Sequence, residues 1–139
     1  TASHFINDWV KCSKKDNNKK FKGFCLTDNI GLVTAYGNDF KYENIFSEQC
    51  KSILDKEDLL IVISGSGKSK NIIKALIEAR NIGTKTLAIL GYDGGEAIKL
   101  ADKSLLIPSF DMQICEDIFI IFGHIVMKQI SRTEIICKY

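Results

Sequence analysis

The sequence lacks several features that would place it in a special class of protein. Its 139 residues include one proline and carry a formal net charge of only +2. Its five cysteines are odd in number, irregularly spaced and without a Cys-x-x-C pair, which excludes a regular disulfide framework or a zinc ribbon and favours a reducing cytoplasm. Because the positive surplus is so small, it gives no basis for a nucleic-acid surface.

Long hydrophobic runs are missing as well. The most apolar stretch, Ile118 to Met127, is far shorter than the roughly 20 residues that a membrane span needs, and Gly123 and His124 interrupt it. We therefore expect no membrane or signal segment. The whole sequence is 45% hydrophobic and 26% charged, a composition typical of one folded globular domain.

The order of apolar and polar segments predicts alternating helices and strands. Helices are predicted over 2–10, 30–36, 42–54, 71–81, 96–101 and 113–130, strands over 23–26, 59–63, 84–90 and 104–107, a turn at 37–39 and a polar loop over 11–22. Such βαβαβ alternation requires crossover connections, which yield a parallel sheet with helices on both faces. The predicted fold class is α/β, a doubly wound, flavodoxin-like three-layer αβα sandwich.

The last predicted helix is apolar around nearly its whole circumference, from Ile114 to Ile130. Such a helix must be covered on both sides. Two covers are open at this point, a second subunit or an N-terminal helix of the same chain that this sequence lacks.

A Gly/Ser loop, Ser64 to Ser69, lies between a predicted buried strand and a helix N-terminus, where free backbone N–H groups and the helix dipole attract anions. Ser64, Ser66 and Ser69 supply hydroxyl donors. Val62 stands where a nucleotide-binding P-loop needs its first glycine, and Lys70 stands where a dinucleotide motif needs its third. A phosphomonoester is the favoured ligand, and the alternative is a turn that only connects strand to helix.

Motifs of specific order and spacing are spread over nearly the whole chain. They are Ala2-Ser3-His4-Phe5 with Asp8, Thr34 to Asp39, Tyr42-Glu43 with Ile45-Phe46, Ile63 to Gly67 with Ser69, Gly91 to Gly95, and Glu116-Asp117 with Gly123-His124. In this order they resemble the sugar isomerase (SIS) domain superfamily and, within it, the phosphoheptose isomerases. The resemblance implies a single SIS domain over 1–139 that lacks the N-terminal helix, first strand and Asn/Gly-rich loop of the family.

The resemblance also implies an activity, the isomerisation of sedoheptulose 7-phosphate to D-glycero-D-manno-heptose 7-phosphate through an enediol, for lipopolysaccharide or capsule heptose synthesis in bacteria. By the family pattern, Asp8 and His124 act as base and acid, in either order. The implied substrate-binding residues are Asn38, Asp39, Ser64, Gly65, Ser66, Ser69 and Glu116. A cytoplasmic homotetramer is implied, with sites near subunit interfaces and without nucleic-acid or membrane partners.

A metal, usually zinc, is implied too, with ligand positions at His4, Asp8, Glu116 and His124. Spacing supports the first pair, because His4 and Asp8 are four residues apart on one helix face. Glu116 and His124 lie about 12 Å apart along a straight helix and are turned by about 80°. Either the helix begins after Glu116, or the two act through different subunits, or only one is a ligand, in which case Asp117 lies nearer to the face of His124.

Four positions depart from the family pattern, which has Glu at Asp8, Gln at Glu116, Asn at Lys68 and often His at Phe119. Asp8 shortens the base by one methylene, which matters where reacting atoms must lie within about 3.5 Å. Glu116 adds a negative charge, which is expected to tighten divalent-ion binding and to disfavour an anionic enediol. A related phosphosugar isomerase therefore stays open as an alternative.

A non-catalytic function is the second alternative. Relatives in the superfamily serve as phosphosugar sensors or as adaptors that bind the replication initiator. Such proteins have no need of an acid and two histidines at these positions, so the presence of His4, Asp8 and His124 favours the enzyme.

Overall fold

The computed structural model describes residues 1–12 and 21–131. The elements are α1 (Ala2–Cys12), α2 (Ile30–Phe40), a 3₁₀ turn (Tyr42–Asn44), α3 (Ser47–Ile53), β1 (Leu59–Ser64), α4 (Lys70–Ile82), β2 (Lys85–Leu90), α5 (Ala97–Leu100), β3 (Lys103–Leu106) and α6 (Met112–Ser131). Most of the predicted polar loop over 11–22 lies outside the described residues, although its first two residues belong to α1.

The three strands form a parallel sheet in the order β1-β2-β3. Leu59 is opposite Lys85 at the start of one ladder, and Leu87 is opposite Lys103 at the start of the other. Because parallel neighbours need crossover connections, α4 joins β1 to β2 and α5 joins β2 to β3. The predicted α/β class is confirmed.

Alternate residues of the strands enter two separate cores, because successive strand side chains point to opposite faces. The residues on one face are Leu60, Val62, Ala88 and Leu90, which pack with Cys50 of α3, Ala75, Leu76 and Ala79 of α4, and Ala97 of α5. The residues on the other face are Ile61, Ile63, Ile89 and Leu105, which pack with Phe5 and Trp9 of α1 and Cys115 and Phe119 of α6. Helices therefore cover both faces, as predicted.

Helix α1 lies directly against α6, and a glycine makes this close contact possible. Trp9 Nε1 donates a hydrogen bond of 2.9 Å to the carbonyl of Gly123. A Cβ atom added at Gly123 would lie 2.8 Å from Cζ of Phe5 and closer still to other atoms of that ring. Because Gly123 has no side chain, α1 can pack this close to α6.

The predicted strand over 23–26 is wrong. Residues 23–25 have no regular structure, and a turn follows in which the amide of Asp28 donates to the carbonyl of Cys25 over 3.1 Å. The carbonyl of Leu26 accepts from Nε2 of Gln49 over 3.1 Å rather than from a strand. A short apolar run becomes a strand only where another backbone satisfies its polar groups, and no described strand pairs with this segment.

The predicted turn at 37–39 is wrong too. Helix α2 begins at the predicted Ile30, where Asn29 Oδ1 accepts from the amide of Leu32 over 3.1 Å, but it continues to Phe40. A helix already begun gains one hydrogen bond per added residue, which outweighs the weak helix propensity of glycine and asparagine. The chain reverses at Lys41 instead, with φ 75° and ψ 148°. A 3₁₀ turn and α3 replace the single helix predicted over 42–54.

Helix α6 is continuous over 20 residues from Met112, which excludes the possibility that it begins after Glu116. Cys115 and Phe119 are buried against the sheet, whereas Ile114, Ile121 and Ile125 are half-exposed, so the described chain covers one side of α6 only. Among the described residues, no helix is long and apolar enough to cross a membrane.

Candidate functional site

Three predicted site residues converge where α1 meets α6, and we call them the His/Asp cluster: His4, Asp8 and His124. Nε2 of His4 lies 2.9 Å from Nε2 of His124. Oδ2 of Asp8 lies 3.3 Å from Nε2 of His4 and 3.6 Å from Nε2 of His124. The two imidazole rings meet edge-on, with centroids 5.1 Å apart.

The spacing within the His/Asp cluster fits a divalent metal. Around zinc, with bonds of about 2.0 to 2.1 Å, tetrahedral ligand atoms lie about 3.3 Å from one another. The measured distances of 2.9, 3.3 and 3.6 Å bracket that value. Side-chain exposures of 48% for His4, 28% for Asp8 and 43% for His124 leave one side of the cluster open. Two imidazoles and a carboxylate with an open side match the ligand set of a catalytic zinc site.

Glu116, the fourth predicted ligand, lies apart from the cluster. It is exposed near the start of α6, about 12 Å along the helix axis from His124. Asp117 is exposed there as well and is also outside the converging group. Since α6 is unbroken, two of the three interpretations stay open: the two residues act through different subunits, or His124 alone is a ligand.

The Gly/Ser loop presents hydroxyl groups ahead of α4. Ser64 Oγ accepts from the amide of Gly67 over 3.1 Å, and Ser66 Oγ accepts from the amide of Lys68 over 3.3 Å. A hydroxyl that accepts a hydrogen bond still has its own proton to donate. Ser69 precedes α4 without using its side chain as a cap, so its hydroxyl is available too. The hydroxyls of Ser66 and Ser69 can therefore donate to an anion, whereas Ser64 is buried at the end of β1.

The loop after β2 packs tightly on the Gly/Ser loop. Gly67 has φ 64°, and a Cβ atom there would overlap the carbonyl of Gly94. The carbonyl of Gly67 accepts from the amide of Ala97 over 3.0 Å, and that of Ser64 accepts from the amide of Gly91 over 3.3 Å. The backbone of the Gly/Ser loop is thus fixed by its neighbour.

Asn38 and Asp39, the predicted sugar-binding pair, are exposed in the last turn of α2. Nδ2 of Asn38 donates to Oδ1 of Asp39 over 2.8 Å. No hydrogen bond or ion pair between described residues joins either side chain to the Gly/Ser loop. The following segment does approach it, because Lys41 and Ser69 line one open cleft of about 500 Å³.

Ion pairs beside the Gly/Ser loop were missed by sequence reasoning. Glu43 accepts from Lys74 Nζ over 2.6 Å, which holds the pKa of the Glu43 carboxyl below its usual value and ties the 3₁₀ turn to α4. Lys68 Nζ lies 3.2 Å from Oδ2 of Asp93. The partners are 31 and 25 residues apart in the sequence and lie on different elements. No spacing pattern in the sequence could therefore have predicted these ion pairs.

Comparison with known proteins agrees with the class that the fold and site define, a SIS-domain protein. Residues 22–91 match the family model described as the SIS domain. The phosphoheptose isomerase of Aliarcobacter butzleri is 39% identical over 131 residues, which are 94% of this chain and 69% of the relative. That of Helicobacter pylori strain P12 is 37% identical, over 94% of this chain and 68% of the relative.

Solved structures give the same result. The phosphoheptose isomerase from Francisella tularensis matches with a TM-score of 0.86 at 26% identity, over 94% of this chain and 70% of that one. The phosphoheptose isomerase from Neisseria gonorrhoeae matches with a TM-score of 0.85, also at 26% identity, over 94% of this chain and 68% of that one. The chain belongs to the phosphoheptose isomerase family, and the non-catalytic alternative is not favoured.

Proposed function

We propose that this chain isomerises sedoheptulose 7-phosphate to D-glycero-D-manno-heptose 7-phosphate, for heptose synthesis toward lipopolysaccharide or capsule. The observation that carries the proposal is the convergence of His4, Asp8 and His124 from the two ends of the chain. An aldose–ketose isomerase needs an acid and a base close to one substrate, and the cluster supplies both in a chain that also has an anion-binding loop.

The proposed reaction moves one proton between adjacent sugar carbons through an enediol. One of Asp8 and His124 removes the proton from the carbon beside the carbonyl, and the other moves protons on the sugar oxygens. Oδ2 of Asp8 and Nε2 of His124 lie 3.6 Å apart, so both groups can serve one bound substrate.

The His/Asp cluster would also hold a zinc ion through Nε2 of His4, Nε2 of His124 and the Asp8 carboxylate. When bound, zinc supplies a Lewis acid that polarises sugar oxygens. Both short contacts of Asp8 use Oδ2, so its Oδ1 is left for proton transfer. With zinc on Nε2, His124 would keep only its Nδ1–H, which can donate a hydrogen bond but cannot accept a proton, so Asp8 would be the base in the zinc-loaded site. The spacing of the three ligand atoms and the open side of the cluster support this part of the proposal.

The remaining predicted residues bind the substrate in this proposal. The phosphate is assigned to Ser64, Gly65, Ser66 and Ser69, and the sugar hydroxyls to Asn38 and Asp39. Glu116 is assigned to the substrate or metal of another subunit, because it lies so far along α6 from His124. A homotetramer is part of the proposal. The half-exposed isoleucines on α6 support a second cover on that side of the helix, by another subunit or by an N-terminal helix, since apolar patches of this kind mark interaction sites.

A coupled assay with sedoheptulose 7-phosphate tests the proposal. The chain is measured as purified, after chelation, and after repletion with zinc, beside the Asp8→Ala and His124→Ala variants. We expect turnover that chelation abolishes, that zinc restores, and that each substitution lowers by about two to four orders of magnitude. Asp117→Ala is the matched control, because it removes an exposed α6 acid outside the His/Asp cluster.

The outcomes separate the parts of the proposal. Turnover that survives chelation would contradict the proposed metal site but not the proposed isomerase activity. Absence of turnover in every form, with sedoheptulose 7-phosphate still raising the melting temperature, would overturn the activity and leave a phosphosugar-binding SIS domain.

A further inference from the structure

A salt bridge links the Gly/Ser loop to the loop after β2. Lys68 Nζ lies 3.2 Å from Oδ2 of Asp93, and the other oxygen, Oδ1, accepts from the amide of Gly95 over 3.1 Å. The side chains are 63% and 54% exposed. The hydrogen bond from Lys68, together with the Gly95 amide, lowers the pKa of the Asp93 carboxyl, which is therefore ionised at neutral pH.

The fold does not depend on this salt bridge. The two loops are already joined through backbone hydrogen bonds from Gly91 to Ser64 and from Ala97 to Gly67. Exposed ion pairs of this kind contribute little to the free energy of unfolding. The main consequence of the pair is therefore electrostatic, at the place where the proposed function puts a phosphate.

The three lysines between Lys68 and Lys74 share two carboxylates. Lys68 is the cation within the loop itself, and it has the Asp93 carboxylate to itself. Lys70 and Lys74, beyond Ser69, share the carboxylate of Glu43, at 3.9 and 2.6 Å. A phosphate dianion at this loop would therefore bind to serine hydroxyls and amides. It would gain little attraction from Lys68, because the Asp93 carboxylate already offsets that charge.

We propose that Asp93 sets the affinity for the phosphomonoester by offsetting the charge of Lys68. This inference rests on the phosphate-binding role given to the Gly/Ser loop under the proposed function. Substrate and product of an isomerase carry the same phosphate, so tighter phosphate binding stabilises both equally and does not raise kcat. Asp93 is an affinity-determining residue in this account, since it acts through Lys68 without touching the substrate.

Titration with glycerol 3-phosphate tests the inference, because this phosphomonoester has no carbonyl group to isomerise. Kd is measured at low and high salt for the unaltered chain and for the Asp93→Asn and Lys68→Met variants, singly and combined. Asn keeps an oxygen for the Gly95 amide, and Met keeps the length of the lysine stem. Glu48→Gln is the matched control, since it breaks another exposed pair, Glu48–Lys51 at 2.7 Å, and makes the same change in net charge.

We expect Asp93→Asn to lower Kd about threefold to sixfold at low salt, the effect of one unit charge about 8 to 10 Å from a dianion. Lys68→Met should raise Kd by a similar factor, the double variant should return near the unaltered value, and high salt should shrink every difference. Glu48→Gln should leave Kd unchanged.

A purely structural role for Asp93 predicts the opposite sign, because a loosened loop binds phosphate less well. Unchanged or weaker binding by Asp93→Asn, or an equal gain in Glu48→Gln, would therefore overturn the inference while leaving the proposed function intact. If the unaltered chain does not bind glycerol 3-phosphate, the phosphate-binding role of the Gly/Ser loop is wrong, and this inference is wrong with it.

Discussion

The Gly/Ser loop and the His/Asp cluster are assembled in opposite ways. The loop is one run of six residues whose hydroxyls and amides bond to one another over two or three positions. The cluster joins residues 120 positions apart, on the first and last described helices. The residues of the first site are therefore neighbours in the sequence, although the loop after β2 fixes their backbone, whereas the second site exists only when α1 packs on α6.

The two sites also depend on glycine for different reasons. Gly67 needs φ 64° and room for a backbone carbonyl within the loop contact. Gly123 is helical and needs room for the Phe5 ring in the contact between helices. Damage to one site should consequently spare the other, and substitutions can test that separation.

The largest effect is expected for Asp8→Asn. The substitution removes the negative charge of a proposed base and metal ligand while keeping the side chain's shape, so we expect kcat to fall about 10²- to 10⁴-fold. Glycerol 3-phosphate should still bind with its ordinary Kd, because the Gly/Ser loop is untouched. Steady-state kinetics and a binding titration on the same preparation measure both, and a large rise in Kd would show that the two sites are not separate.

Gly67→Ala should have the opposite profile. A side chain at positive φ costs about 1 to 2 kcal/mol, and overlap with the Gly94 carbonyl adds about 1 to 3 kcal/mol, because backbone cannot easily move. We expect a lower melting temperature and a loss of phosphate binding, with zinc binding retained. Loss of zinc binding in a variant that is still folded would contradict the separation.

Gly123→Ala tests the helix contact. The added methyl group would overlap the Phe5 ring, which must move or push α1 away from α6, at about 1 to 3 kcal/mol of unfolding free energy. We expect weaker zinc binding with the phosphate Kd unchanged. Gly37→Ala, within α2, is the control: the added Cβ would lie 3.8 Å from Cγ2 of Ile45, an ordinary contact, and the substitution should stabilise the protein by about 0.5 to 1 kcal/mol.

The smallest effect is expected at Lys41, beside the cleft that Ser69 lines. Its φ of 75° and ψ of 148° lie close to a region that glycine almost alone adopts. Lys41→Gly relieves that strain but increases the entropy that the backbone loses on folding. The net effect that we expect is a stabilisation of the protein by about 1 kcal/mol. Denaturant unfolding measures the change, and a destabilised variant would contradict the assigned backbone strain.

Sequence patterns predicted the parts of the fold that depend on local signals. The strand–loop–helix unit around the Gly/Ser loop is confirmed, and α4 ends at Gly83, whose φ of 88° suits a glycine. The segment 23–26 could not be assigned correctly, because whether an apolar run becomes a strand depends on a pairing partner elsewhere. The turn expected at 37–39 was wrong because helix propagation outweighed the propensities of single residues.

The candidate site was only partly predictable for the same reason. His4 and Asp8 share a helix face, so their pairing followed from spacing. His124 was associated with them through family resemblance alone, and no local signal predicted its ring beside that of His4. Glu116 shows the limit of such transfer, since its place on α6 keeps it away from the other three within the described chain.

Calorimetric titration of the metal-free chain with zinc is the most direct test of the central claim, that His4, Asp8 and His124 form a metal centre separate from the Gly/Ser loop. We predict one equivalent bound by the unaltered chain and by Gly67→Ala, and a loss of binding by at least tenfold in His4→Ala and in His124→Ala. Equal zinc affinity in the unaltered chain and both histidine variants would contradict the claim.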